Sequence, residues 1–257
     1  GTPHLGASTS EAQENVAVAI AEQMADYLLK GSVRNAVNVP SVSDEVLAQV
    51  GPYLTLGEML GCLHMQISQG GVQEVNLEYS GDLADQDTNP VTVAFLKGLF
   101  TPILQDAVNF VNAPLIAEER GIRVVESKTS RSADFTNLVR ITVKTTEGEN
   151  MLAGTVFGTK EPRLVRFNSF RLEALPAGPM LLVHNKDVPG VIGALATIIG
   201  AGGVNISNMV VGQEATSSRN VILLNTDQPV SKELLSKVKE VEHIDDAMAL
   251  ELPAHTS

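Results

Sequence analysis

The chain is poor in cysteine, short of positive charge and without any long apolar run, and each lack narrows what it can be. Cys62 is the single cysteine among 257 residues. No internal disulfide can form, a reducing cytoplasm suits the chain, and an iron-sulfur cluster would lack thiolates. The 18 Lys and Arg stand against 30 Asp and Glu, giving a net charge of −12 and a pI near 4.8. Such a balance disfavours attraction to nucleic-acid phosphates. No stretch is apolar enough to span a bilayer and no basic-then-apolar leader opens the sequence, so nothing directs it to a membrane. His64 lies two residues from Cys62, yet no further Cys or His cluster completes a tetrahedral set, and no metal is assigned. Nor does a Gly-x-Gly-x-x-Gly follow any strand: the nearest run, Gly200 to Gly203, lies where a helix is expected to end.

What is present is ordinary globular material. A hydrophobic content of 44% is enough for one to two packed domains with accessory structure. Ser8 followed by Glu11 forms a capping box, and the helix it opens is expected to run to Lys30 and stop at Gly31, burying Val16, Ile20, Met24, Tyr27 and Leu28. Residues 35–43, with Asn35, Asn38 and Pro40, read as a linker. From 44 to 68 the pattern is helical, with Gly51-Pro52 dividing it into two pieces. Val75, Leu77 and Tyr79 alternate with Glu74, Asn76 and Glu78 as in a half-exposed strand. A helix is expected from Asn89-Pro90 to Pro102 and another from Ile103 past Phe110, then strands over 122–128, 138–145, 151–157, 163–167 and 170–172.

The final segment has the most to say about function. An apolar run ends at His184, and Asn185-Lys-Asp187-Val-Pro189-Gly190 turns into a helix whose expected N-cap is Asp187. Val191, Leu195, Ile198 and Ile199 lie on one helical face, with Gly193, Ala196, Thr197 and Gly200 opposite. Gly202-Gly203 ends this helix, Val204-Asn205-Ile206 opens a strand, and a strand from Asn220, a helix from Ser231 and a strand from Ala247 complete βαββαβ, a ferredoxin-like unit.

Asp-x-Pro-Gly before that helix and Gly203-Val-Asn205-Ile after it resemble the ACT domain of amino-acid-regulated enzymes. The resemblance implies domains paired edge to edge. In the branch attached to phosphoglycerate dehydrogenases, it implies L-serine held between them by Asn185, Asp187 and Asn205. Asp187 would take the ammonium, and amide donors or helix-end amides the carboxylate. The plainer reading is that Asp187 caps the helix and Asn205 turns the chain.

The opening Gly1-Thr-Pro3-His4-Leu-Gly6-Ala7-Ser8-Thr-Ser10-Glu11 resembles the histidine segment of NAD-dependent D-2-hydroxyacid dehydrogenases. There the histidine is the general acid/base, a role suited to imidazole's pKa of about 6.5. The matching residue is His4, with Gly6 and Ala7 letting the backbone approach the nicotinamide ring. Asp106-x-Val108-Asn109, Glu118-Glu119-Arg120-Gly121 and Gly154-Thr155-Val156 are similar to the intervening domain of the longer phosphoglycerate dehydrogenases, a domain thought to bind substrate or another anion. Arg163 and Arg171 are the candidates for such an anion, although alternating surface charge explains them as well.

The expectation is thus an α+β chain in three parts: a helical dehydrogenase tail and linker at 1–43, an α+β intervening domain at 44–176 and an ACT domain at 177–257. By this resemblance it is the regulatory C-terminal portion of a cytoplasmic, NAD-dependent enzyme. That enzyme would act on 3-phosphoglycerate, sense L-serine and form a homo-oligomer, and this chain alone would be inactive for want of the cofactor-binding half. Iron-sulfur L-serine dehydratases share the intervening-plus-ACT arrangement but need several cluster cysteines. A stand-alone amino-acid-binding module would have no use for the His4 segment.

Overall fold

The computed structural model describes residues 6–30, 44–131, 134–158, 160–214 and 218–254. Helix α1 spans Ser10–Lys30. The oxygen that caps it is Thr9 Oγ1, which accepts from the Ala12 amide at 3.2 Å, so the cap lies one residue beyond the expected Ser8. The expected buried face of α1 is uncovered: Val16, Ile20, Met24, Tyr27 and Leu28 are all exposed. Among the described residues no other element packs extensively against it.

Helix α2 (Asp44–Ile67) runs through Pro52 as one unit. Proline removes only one ladder hydrogen bond, and buried Val50, Tyr53, Leu56, Leu60 and Leu63 hold both sides of the break against the core. Strand β1 (Val72–Gly81) follows with Val75, Leu77 and Tyr79 fully buried as alternation requires. Helix α3 (Asn89–Leu104) likewise continues past Pro102. The helix expected from Ile103 is instead a single 3₁₀ turn at Gln105–Ala107, and a short α4 (Ala113–Glu119) appears after it. The local chemistry explains the change. Asn109 Oδ1 accepts from the Val111 and Asn112 amides at 2.8 and 3.0 Å, and Asn112 Oδ1 accepts from the Asn109 amide at 2.7 Å. These side chains outcompete the helical ladder.

Strands β2 (Arg123–Thr129), β3 (Asn137–Thr145), β4 (Glu149–Phe157), β5 (Glu161–Phe167) and β6 (Phe170–Ala174) lead into the terminal unit. That unit is β7 (Pro179–Lys186), α5 (Val191–Ala201), β8 (Ile206–Gln213), β9 (Arg219–Thr226), α6 (Lys232–Lys239) and β10 (Ile244–Glu251). Together the strands form one ten-stranded sheet in the order β10-β7-β9-β8-β6-β5-β4-β3-β1-β2. Only β1 and β2 run parallel, joined by the crossover through α3 and α4.

The terminal four strands have the ferredoxin-like order, and their sheet is covered on both faces. Leu181, Val183, Ile222 and Leu224 pack under α5 and α6. Met180, Leu182, Val221 and Leu223 face the other way, into the same core as α2, α3 and β1. This two-sided burial is why β7 reads as a continuous apolar run rather than an alternating one. The two halves of the sheet meet at β6 and β8 through one register pair, Arg171 with Gln213.

Candidate functional site

The end of β7 and the turn after it carry two of the three candidate effector residues, Asn185 and Asp187, ahead of α5. Asp187 is exposed; its backbone amide donates to Ser218 O at 2.7 Å and its carboxylate has no partner among the described residues. The expected Asp187 N-cap is not formed. Helix α5 starts at Val191 behind Gly190, which adopts φ +95, and no side chain caps it. A left-handed residue at this place points the chain away from α5, so Asp187 and Pro189 lie in the loop rather than in the first turn. The first-turn amides of α5 therefore keep their hydrogen-bonding capacity for a bound group.

Asn185 is 2% exposed. Its Nδ2 donates to Lys186 O at 2.7 Å, while its Oδ1 is buried with no partner. Alternation along β7 puts it on the helix-facing side with Val183. Asn205 lies exposed at the far end of α5, where its amide donates to Asp227 Oδ1 at 2.9 Å and its carbonyl accepts from the Asp227 amide at 3.1 Å. Its side-chain amide makes no bond with the described residues. Asp187 and Asn205 are thus separated within one chain by the 11 residues of α5, about 16 Å at 1.5 Å per residue. A single amino acid cannot bridge them in one copy.

Between those two positions, α5 shows solvent a surface of small and apolar residues. Ile192 and Val188 are exposed, and a methyl group added at Gly193 or Gly200 would meet nothing within 4 Å. Among the described residues the outer edge of β8 is paired only at Gln213, and Ile206 to Val210 have no strand partner on that side.

The arginine candidates do not converge. Arg163 pairs with Glu161 at 2.7 Å and lies over the Phe157 ring. Arg171 instead joins Arg166 on the carboxylate of Asp134, at 3.6 and 3.3 Å. Each candidate guanidinium is already paired with a carboxylate, which Arg171 shares with Arg166. His4 lies outside the described residues, and Gly6 and Ala7 are exposed ahead of α1.

Cys62 is buried, as its apolar surroundings predict. Burial pushes its thiol up to about 11, against a hydrogen bond from Gln66, so it is a poor nucleophile. His64 is fully buried edge-on to Phe95, and burial pushes it down to about 3, with the Ile141 backbone opposing. Neither ring nitrogen has a partner at hydrogen-bonding geometry, so it acts as an apolar core ring. Among the described residues no group of three or more Cys, His, Asp or Glu could hold a metal, and no helix is long and apolar enough to cross a membrane. For a dinucleotide the fit fails: the Gly200 to Gly203 run ends α5 with Gly202 as C-cap, offering carbonyls rather than the amides a pyrophosphate needs.

Sequence reasoning missed Gln66. Its side-chain amide donates to Glu251 O at 2.8 Å and accepts from the Glu251 amide at 2.9 Å, extending the ladder on the outer edge of β10. One helical turn earlier, Cys62 Sγ approaches the same carbonyl at 3.6 Å. Nothing in the sequence around Gln66 marks a residue whose partner lies 185 positions away.

Comparisons with known proteins show which family the chain resembles. Residues 49–168 match the family model described as the D-3-phosphoglycerate dehydrogenase intervening domain, and residues 179–243 match the ACT domain. The chain is 38% identical over 252 residues to a protein of Methanocaldococcus jannaschii named D-3-phosphoglycerate dehydrogenase, covering 98% of this chain and 48% of that protein. Its identity to the protein of the same name in Synechocystis is 38%, covering 98% and 46%. In Bacillus subtilis the identity is 30%, covering 98% and 48%. The chain spans about half the length of the curated relatives it matches.

Proposed function

Since the chain belongs to the D-3-phosphoglycerate dehydrogenase family and corresponds to the C-terminal part of its members, we propose that it is the regulatory portion of an enzyme that oxidises 3-phosphoglycerate with NAD. Its terminal domain senses L-serine, and the enzyme works in the cytoplasm. The observation that carries the sensing role is the separation of Asp187 from Asn205 along an α5 whose outer face is uncovered. Two copies related by a two-fold axis perpendicular to α5 run these helices antiparallel, so the Asp187 end of one meets the Asn205 end of the other. Antiparallel β8 edges extend the sheet over 206–210, short of the segment already taken by β6.

In the paired site the Asp187 carboxylate takes the ammonium, and first-turn amides of α5 with the Asn205 side chain of the second copy take the carboxylate. Asn185 acts from behind, its unpartnered Oδ1 being available to a polar group that enters the turn. His4, with Gly6 and Ala7, serves as the acid/base segment of the whole enzyme, and this chain alone gives no turnover. Arg163 and Arg171 are retained as an anion site only if Glu161 and Asp134 release them.

Calorimetric titration of L-serine with mass measurement in solution tests the reading. The expected result is one bound serine per copy together with an even oligomer. A monomer that takes up no serine would refute it.

A further inference from the structure

A second polar cavity lies where the ACT sheet meets the intervening domain, away from α5. It measures about 140 Å³ and is lined on one side by Ile67, Gln69, Asn150, Phe167 and Asn168, and on the other by Leu182, His184, Asp246 and Met248. This is room for roughly five waters at liquid density. It continues into a cleft of about 260 Å³ that shares Ile67, Gln69 and Asn150 and adds Glu147 and Glu149.

The lining selects a charge. Neither the cavity nor the cleft is lined by Lys or Arg. Glu147 and Glu149 have no ion-pair partner among the described residues, whereas Asp246 is shared with Lys239 at 2.8 Å and neighbouring Asp245 with Arg219 at 3.2 Å. The potential at the mouth is therefore negative, and a cation is concentrated there.

The groups within also have unused valences. Asn168 Nδ2 donates to Asn150 Oδ1 at 3.2 Å, and Asn150 Nδ2 is a donor without a partner among the described residues. The His184 ring stacks at a tilt on Phe167, 5.9 Å between centroids, and makes no hydrogen bond to a described residue. Burial lowers its pKa and the Arg219 charge adds to this, against the pull of Asp246 and Asp245, so the neutral ring keeps one nitrogen as an acceptor.

We propose that this junction cavity binds a small amino alcohol. Its ammonium lies against Asp246, His184 and the Phe167 face, and its hydroxyl oxygen accepts from Asn150 Nδ2. Because the walls come from two domains and the Gln66 clamp holds them in register beside the cavity, the ligand binds only the docked arrangement and stabilises it. The site is independent of the α5 surface and of L-serine.

The test uses the full chain and three probes of similar size: ethanolamine, ethylene glycol and glycolate. Calorimetry should detect ethanolamine, with the uncharged and anionic probes at least about tenfold weaker. Backbone amide shifts with ethanolamine should centre on Asn150, Phe167 and His184. D246N and N150L should each weaken ethanolamine about tenfold, and D187N should leave it unchanged. Equal binding of glycolate, no binding of ethanolamine, or shifts centred on the 187–190 turn would each overturn the proposal, and the wild-type probe series decides even if a variant fails to fold.

Discussion

Two helical seams in this molecule use small residues in the same way and differ in one respect. Where α2 crosses α3, a methyl group added at Gly61 would strike the Phe95 carbonyl, and one at Gly98 the Glu58 carbonyl. The backbones touch through those two positions, and the seam is complete within the chain. On α5, Gly193 and Gly200 face open space, with Ile192 exposed beside them. The lesson is that a small-residue face records close approach only when something approaches. In α2 and α3 the partner is intramolecular, whereas for α5 our account assigns a second copy.

The same substitution should therefore have opposite signs in the two places. Gly98→Ala forces backbone apart in a fully packed seam and should cost about 3 kcal/mol, read as a lower urea midpoint at unchanged slope. If G98A unfolds at the wild-type midpoint, the seam is looser than described.

An effect of similar size comes from acid, and it too separates the regions. His64 inside the first seam is held neutral down to about pH 3, while in the unfolded chain it takes up a proton near pH 6.5. Its contribution is fully present above that pH and is lost as the pH falls toward 3, at about 1.4 kcal/mol per pH unit in that window. H64L, which removes two unpartnered buried nitrogens, should flatten the fall, measured as urea midpoints between pH 7 and pH 4. A parallel fall in both proteins would contradict the assignment.

Smallest is Gly193→Ala, which meets nothing and should raise the stability of the unpaired chain by about 0.5–1 kcal/mol through helix propensity. It should also weaken self-association in sedimentation. A stability gain without any loss of association would move the partner surface off this face.

Much of this architecture was legible in the sequence, and the reasons for the rest are specific. Alternation at Val75, Leu77 and Tyr79 located β1 because a strand with one buried face has no other pattern. Ser231 marked α6 because its hydroxyl does accept from the Leu234 amide, at 3.2 Å. Asp187 misled as a cap because Gly190 makes the turn on its own, and Pro52 and Pro102 misled as breaks because tertiary burial outweighs one lost hydrogen bond. The stripe on α1 was correctly seen as apolar, yet nothing among the described residues covers it. Gln66 and the junction cavity were invisible because both depend on contacts between segments far apart in the chain.

The central claim is that one zwitterion is gripped by Asp187 of one copy and Asn205 of another. The direct measurement is complementation: D187A and N205A are each titrated with L-serine, then unfolded together, refolded as a mixture and titrated again. Neither variant alone should bind. The mixture should recover about a quarter of the wild-type sites, because half of the pairs are mixed and each mixed pair rebuilds one site of two. No recovery in a mixture shown to contain mixed pairs would contradict the account.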